Sequence, residues 1–596
     1  MSGNLANTLS LLTHRERRRG VLVLLLMTAN ALMEVGGVLS VVPVLGVMVD
    51  PGLVTRNEYL AALYAALGFE STRSFLVALA VAAALVQVLT AAFRTLTHYV
   101  MSRYTQMRRH SVSKQLLRGY LTNDYEFFLQ RNTSDLSKNT LSEVDALVDQ
   151  VFSPAIQMVA YGFTAIALVT TLLFFQPLPA LVAVLFLGGL YLVVFLSLRG
   201  VVGRLGRTRA QANTERFLSA AEVLGGVKEI KLIGREEAYI KRFDGASRRF
   251  SSTMALSRVL DRVPKFAIEA LGVGLILGIA SALLITKEEL ASVLPLLGLY
   301  GITGYRLLPA AQKVYQGAAQ LRFGTAAVEN IAREIADMPQ RPSRGDPEAR
   351  IRLCEAIELR EVSYRYPGAD LASLQEVSCI IPARRSIGIA GPSGSGKTTL
   401  VDLLLGLLKP SAGVILIDGT PIAEVDPGAW QRIVGYVPQN IFLGDESIAG
   451  NIAFGEAPEC VDMERVREAA RIAQLDEFIS GLEAGYATLV GERGVRISGG
   501  QRQRIGIARA LYREPELLVF DEATSALDSA TEAAVIEAIG AMRGVRTVVM
   551  IAHRLTTLQS CDEILFLESG RITAQGRFRE LVETNPHFRE FAHLRP

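Results

Sequence analysis

The segment Gly391-Pro392-Ser393-Gly394-Ser395-Gly396-Lys397-Thr398 carries the clearest capacity for chemistry in this chain. Its glycines let successive backbone amides turn toward one anion, and the apolar helical run from Thr399 to Leu408 adds a positive helix terminus behind them. Lys397 suits terminal phosphates, and the Thr398 hydroxyl suits Mg2+. The strand-like Ser386 to Ala390 precedes the loop, so the order is strand, loop, helix. A second apolar strand, Leu517 to Phe520, ends in Asp521 and Glu522. Asp521 at a strand end can hold Mg2+ through water, and Glu522 can polarise a water for in-line phosphoryl transfer. Alone, such a pair would be a solvated strand edge; with the upstream loop it becomes the second half of a nucleotide site.

These residues need a parallel α/β layer to hold them, and the chain has far more material than that. It has 596 residues, 50% of them hydrophobic and 20% charged, which excludes disorder, collagen and a small disulfide scaffold. The four cysteines, Cys354, Cys379, Cys460 and Cys561, form no CxxC pair and read as reduced thiols of a cytosolic domain. The net charge of +3 divides unevenly: residues 1–320 carry 32 basic against 21 acidic groups (+11), and residues 321–596 carry 30 against 38 (−8).

Six apolar stretches in the basic half are long enough to cross a hydrocarbon layer of roughly 30 Å. They run near Gly20–Val49, Ser74–Met101, Gln150–Phe175, Leu178–Leu198, Val263–Ile285 and Leu290–Val314. Charged helical connectors join the second span to the third and the fourth to the fifth, as long extensions. Arg15, Arg17, Arg18 and Arg19 precede the first span, and the two connectors hold most other cations, whereas the opposite side has Arg56, Arg73 and Lys287. The positive-inside rule therefore places both termini in the cytoplasm. The first span exceeds a signal-peptide core of about 7 to 15 residues and reads as an anchor. The expected fold is a polytopic α-helical membrane domain with six transmembrane helices over 1–338, a linker over 339–352, and an α/β P-loop ATPase domain over 353–596.

Residues 353–590 resemble the nucleotide-binding domain of ATP-binding cassette transporters. The most diagnostic match is Ile497-Ser498-Gly499-Gly500-Gln501, similar to the cassette signature, with Ile497 where the family usually has Leu. The resemblance implies that Ser498, Gly499, Gly500 and Gln501 cap ATP bound by an opposite subunit. It further implies that Tyr366 stacks on adenine, that Gln439 senses Mg2+, and that His553 contacts the γ-phosphate. Asp528 resembles the loop that communicates between two sites, and Glu492 a loop contacting the intracellular helices. ATP and Mg2+ are the implied cofactors, with Gly391, Ser393 to Gly396, Lys397, Thr398 and Thr399 around the nucleotide. Thr398, Gln439 and Asp521 would face the metal, and Glu522, His553 and Gln439 would be catalytic. Six spans, long connectors and one cassette resemble the exporter architecture. Its composite ATP sites imply a homodimer, because every motif in this chain is intact. The connector tips near Asp124–Gln130 and Gly225–Glu236 resemble the short helices that dock on the cassettes.

Substrate signals are thinner. Arg306 interrupts an apolar span, and Arg94 and Lys265 fall at similar depth, so three helices could supply a basic belt for an anionic head group. Snorkelling is the bland alternative for Arg94 or Lys265 taken singly. Glu34, inside the first span, is either a cation partner or a pore residue. Val263-Pro264-Lys265 and Tyr305-Arg306-Leu307-Leu308-Pro309 resemble segments of bacterial lipid-linked oligosaccharide flippases, and Asp50–Glu70 resembles their external amphipathic helix. The expectation is an ATPase-coupled exporter of an amphipathic anionic lipid in a bacterial-type inner membrane. A multidrug, peptide or general lipid exporter is the alternative. A nontransport cassette ATPase is remote, and the acidic soluble half is poorly suited to nucleic acid.

Overall fold

The computed structural model describes residues 13–175, 177–266, 274, 277, 278, 281, 290–338, 351–491, 494–522, 532, 533, 537, 540, 542, 544–551 and 555–593. The chain divides into two compact units. One comprises Met1–Asn123 with Gln130–Pro339, the other Asp124–Leu129 with Gln340–Pro596.

The first unit is helical. Its principal helices are α1 (His14–Leu39), α2 (Thr72–Leu121), α3 (Ser153–Phe175), α4 (Pro177–Gly225), α5 (Glu236–Leu260), α6 (Leu290–Phe323) and α7 (Thr325–Ala336). Among the described residues, four helical stretches are long and apolar enough to cross a membrane: His14–Val49, Thr72–Leu121, Thr133–Phe175 and Ala180–Gly225. The sixth expected span lies in α6, and most of the fifth falls outside the described residues, as does most of the 339–352 linker. The first span breaks at Ser40 and resumes as Val41–Val49. The stretch 50–70 folds in part as short helices, with Asn57 capping Glu58–Ala66 through its side chain.

Small residues bring α3 and α6 together. A Cβ on Gly317 would lie 2.7 Å from Met158 Cβ and 2.9 Å from the Pro154 carbonyl oxygen, so only hydrogen fits there. Beyond the apolar core, two π-helical turns, Asn139–Glu143 and Val148–Phe152, precede α3. Glu143, 1% exposed, accepts from Arg209 at 2.7 Å and from Asn213 at 3.0 Å, which pins the first of these turns to α4. Helices α4 and α5 form a long hairpin whose tip carries the short helix Val227–Ile233, ended by Gly234 in the left-handed conformation.

The second unit contains two sheets. Strands β1 (Ala356–Tyr364), β2 (Leu374–Pro382), β4 (Ala412–Ile417) and β5 (Thr420–Pro421) form an antiparallel sheet in the order β2-β1-β4-β5. Strands β3 (Ser386–Ala390), β6 (Val434–Val437), β7 (Leu517–Asp521), β8 (Thr547–Ile551), β9 (Glu563–Glu568) and β10 (Arg571–Gly576) form the other, in the order β10-β9-β3-β8-β7-β6. Strands β9, β3, β8, β7 and β6 run parallel. Strands β3, β7 and β8 are buried throughout, as a sheet covered on both faces requires. Alternate residues feed two cores: Leu518, Phe520, Val548 and Met550 enter one, while Val519, Val549, Ile387 and Ile389 enter the other. Trp430, 1% exposed, sits in the second core and donates its indole N–H to the Leu404 carbonyl at 3.0 Å.

Candidate functional site

Parallel register puts the carboxyl ends of β3, β6, β7 and β8 on one edge, where ligands of open α/β sheets bind. Each strand there delivers a different group. Strand β3 runs into the glycine loop, which passes directly to helix α8 (Lys397–Leu404). Gly391 has φ 153°, and a Cβ on it would run into the Leu567 carbonyl oxygen; a Cβ on Gly396, at φ 101°, would lie 2.6 Å from the Ser373 carbonyl. Side chains are excluded from both positions, which leaves the loop amides accessible. Buried Lys397 reaches across the loop and donates to the carbonyls of Gly391 (2.9 Å) and Pro392 (2.8 Å). The Ser395 hydroxyl is 2% exposed and lacks a hydrogen-bond partner among the described residues, so the cradle fits a phosphate oxygen. Ser393 and Gly394 lie exposed along the same loop, and Thr398 lies exposed in the first turn of α8.

Strand β7 ends at Asp521, with Glu522 following at φ 51°. A left-handed conformation for a glutamate is a local strain that the surrounding structure must hold. The Glu522 amide donates to the Ile551 carbonyl at 3.1 Å, and Gln439 Nε2, just after β6, donates to Glu522 Oε2 at 2.8 Å. Gln503 Nε2 donates to the Glu522 carbonyl at 3.4 Å. Asp521 is 6% exposed, and burial together with neighbouring Glu522 raises its pKa. Beside it, Asp402 on α8 is pushed up to about 6 by burial and by the Asp521 charge. Tyr436 donates to Asp521 Oδ2 at 3.5 Å. Tyr366 lies beside α8, with its hydroxyl 3.2 Å from Thr399 Oγ1, and packs edge-on against Tyr364.

Helix α9 (Gly499–Tyr512) begins at the signature. Ser498 caps it, accepting from the Gln501 amide at 3.2 Å, while Gln501 Oε1 accepts from the Ser498 amide at 2.9 Å. Gly499 stays exposed at this terminus, and Gly500 lies beside it half-buried. Farther along α9, Arg509 donates to the carbonyls of Asn451 (2.8 Å) and Phe442 (2.7 Å) and covers the Phe454 ring at 4.4 Å. Burial draws its pKa down to about 10. His553, Asp528 and Glu492 lie outside the described residues.

Sequence reasoning missed Asp402, Tyr436, Gln503 and Arg509. Asp402 had a signal, being the one carboxylate in the apolar run 399–408. Tyr436, Gln503 and Arg509 stood inside or beside recognised motifs, with nothing in their spacing to show which way they point.

The docked segment Asp124–Leu129 belongs to this same unit. Tyr364 donates to Glu126 Oε1 at 2.7 Å, and Lys409 to Asp124 Oδ2 at 2.9 Å. Val227–Ile233, the other connector tip, exposes Leu232 (79%) and Ile233 (61%).

In the helical unit, Arg306 of α6 donates to the Glu34 carboxylate of α1 and to Gln87 Oε1 of α2. Gln87 in turn donates to the Gly37 carbonyl at 2.5 Å, and Arg94 reaches Glu34 at 3.4 Å. Glu34 is thus a cation partner, with only 5% of its side chain exposed. Lys265 lies on the short helical stretch 263–266 after α5, and these bonds do not include it.

Comparison with known proteins resolves what the two units are. Residues 374–525 match the ABC transporter family, and residues 44–295 match the ABC transporter transmembrane region. The ATP-dependent lipid A-core flippase of Alkalilimnicola ehrlichii is 33% identical over 480 residues, covering 78% of this chain and 80% of that protein. The chain belongs to the ABC transporters. The transporter is similarly 32% identical to the ATP-dependent lipid A-core flippase of Cupriavidus metallidurans, over 77% of both chains. A solved structure described as a bacterial Atm1-family ABC exporter with ATP bound superimposes with a TM-score of 0.80 at 25% identity, covering 97% of this chain and 98% of that one. The transporter is an integral membrane protein with an ATP-binding domain that hydrolyses ATP in the service of transport.

Proposed function

We propose that the transporter works as a homodimeric flippase, moving an amphipathic anionic lipid across a bacterial inner membrane. On this reading both termini and the ATPase domain, over 353–596, face the cytoplasm. The observation that carries the catalytic part is the Gln439–Glu522 hydrogen bond at the edge where the glycine loop and Asp521 also emerge.

Several residues then take roles. The loop amides of 391–396, Ser395 and Lys397 hold the phosphates, and Tyr366 supports the adenine. The Thr398 hydroxyl, the Gln439 amide oxygen and Asp521 are hard oxygen donors of the kind Mg2+ takes. Bound there, Mg2+ would neutralise charge developing on the phosphate oxygens. Glu522 orients and polarises the attacking water, with Gln439 Nε2 fixing its carboxylate. His553 would contact the γ-phosphate, while Asp528 and Glu492 would serve communication between the sites and with the helical connectors. The open helix terminus at Ser498–Gln501 would close on nucleotide held by the second copy. Exposed Leu232 and Ile233 fit that dimer, because a connector tip with two bare aliphatic side chains offers an apolar surface to a second copy.

The lipid assignment rests on the flippase names of the relatives and on the Arg94–Glu34–Arg306 cluster, whose two cations and one anion leave a net positive charge among apolar helices. In purified protein, Glu522→Gln should keep ATP binding while lowering ATPase turnover by at least about 100-fold, the scale of losing a positioned base. Turnover within a few-fold of the parent would remove Glu522 from the catalytic role.

A further inference from the structure

Away from the ATP site, a cavity of about 500 Å3 lies in the helical unit, at the basic end of its spans. That is the size of small-ligand pockets, roughly 300–1,000 Å3. Its walls are apolar, including Met27 of α1, Ile156 and Val159 of α3 and Phe195 of α4. Two guanidiniums, Arg17 and Arg322, also line it, and both residues are exposed. Arg108, Arg209 and Arg306 each hold a glutamate, whereas among the described residues no carboxylate pairs with Arg322.

Water is a poor occupant for a chamber walled by aliphatic and aromatic groups, and a hydrocarbon chain is a good one. A neutral lipid would fill the apolar part and leave the cationic rim unused. A phosphate diester would accept charge-assisted hydrogen bonds from both guanidiniums. Basic pockets between membrane helices on the side where cations are retained bind anionic lipid head groups in this way. The cavity also touches the π-helical turn Val148–Phe152 and helix α7, so an occupant would brace the span ends against the cytoplasmic extensions.

We infer that this cavity is a resident-lipid site, holding an acyl chain of an anionic phospholipid with its phosphate on Arg17 and Arg322. The residues differ from those of the Arg94–Glu34–Arg306 cluster, so this site and the transport reading stand or fall separately.

The test uses full-length protein in phosphatidylcholine nanodiscs doped with phosphatidylglycerol that carries a photoreactive acyl chain. Adducts should map to peptides containing Met27 and Ile156–Val159, and unlabelled phosphatidylglycerol should displace them while added phosphatidylcholine should not. Joint Arg17→Gln and Arg322→Gln substitution should lower adduct yield at least about tenfold, and Arg17→Lys with Arg322→Lys should restore most of it. Ala155→Phe, which fills the chamber and leaves both arginines, should lower it as well. A gel-filtration peak at the parent's volume and the parent's helical circular dichroism report that each variant is folded. Equal labelling by a phosphatidylcholine probe, or undiminished labelling in the Gln pair, would overturn the inference. So would a photoreactive residue at Leu24, a lining position, that joins two protein chains in place of a lipid, since a second copy would then occupy the cavity.

Discussion

A guanidinium inside an apolar helix is tolerable only with a counter-charge and acceptors, and Arg306 has Glu34 and Gln87. Glu34→Gln leaves Arg306 without its anion and should destabilise the helical unit by about 3 kcal/mol, the low end for breaking a buried pair. Adding Arg306→Gln should recover most of that loss, measured as recovery of the dimer peak after heating in detergent; equal damage in single and double variants would mean the pair is not coupled. Both charges were legible in the sequence because they interrupt apolar runs. Their pairing was not, since it depends on how three helices rotate against one another.

Asp402 yields a pH prediction. Its native pKa of about 6 lies above an unfolded carboxylate's roughly 3.9, so the folded state holds the proton more tightly. Native stability therefore falls as pH rises through this window, and the cost is complete above about 6. Asp402→Asn, in EDTA and without nucleotide, should raise the unfolding temperature of the ATPase unit at pH 7.5 and change it little at pH 4. Trp430, the single tryptophan and buried in this unit, reports the transition. An equal shift at both values would contradict the assignment.

At the scale of elements, helix pairs are set by where side chains are missing. Gly317→Ala should destabilise α3 against α6 by about 1–3 kcal/mol through overpacking. Gly162→Ala, on α3 where a Cβ meets nothing within 4 Å, should be neutral or slightly stabilising, because alanine is the better helix former. Heating followed by gel filtration distinguishes them, and a reversed order would contradict the packing described. The long spans and the strand–loop–helix of the nucleotide site could be read from apolar periodicity and glycine spacing. The break at Ser40 and the two π-helical turns could not, for their sequences 139–143 and 148–152 carry ordinary helical patterns, and a contact such as Arg209 to Glu143 in the first of them is long-range. Nor does local sequence reveal that Asp124–Leu129, six residues of the helical half, fold with the ATPase unit through Tyr364 and Lys409.

For the whole molecule, the near-neutral charge of +3 conceals a basic membrane half and an acidic ATPase half, as cations held on one side of a bilayer would produce in the proposed topology. The docked tip Asp124–Leu129 and the exposed tip Val227–Ile233 are where the proposed coupling would run, the first within one chain and the second between copies. Cassette closure on ATP would then be felt by helices running into the bilayer. The central claim is ATP-driven movement of an anionic amphiphile. It is tested most directly by reconstituting the purified protein in liposomes and following translocation of polyprenyl-pyrophosphate glycans and lipid A-type glycolipids beside drugs and peptides. ATP-dependent movement of an anionic lipid, absent in Glu522→Gln, is the expected result; movement of drugs or peptides with every anionic lipid left behind would contradict it.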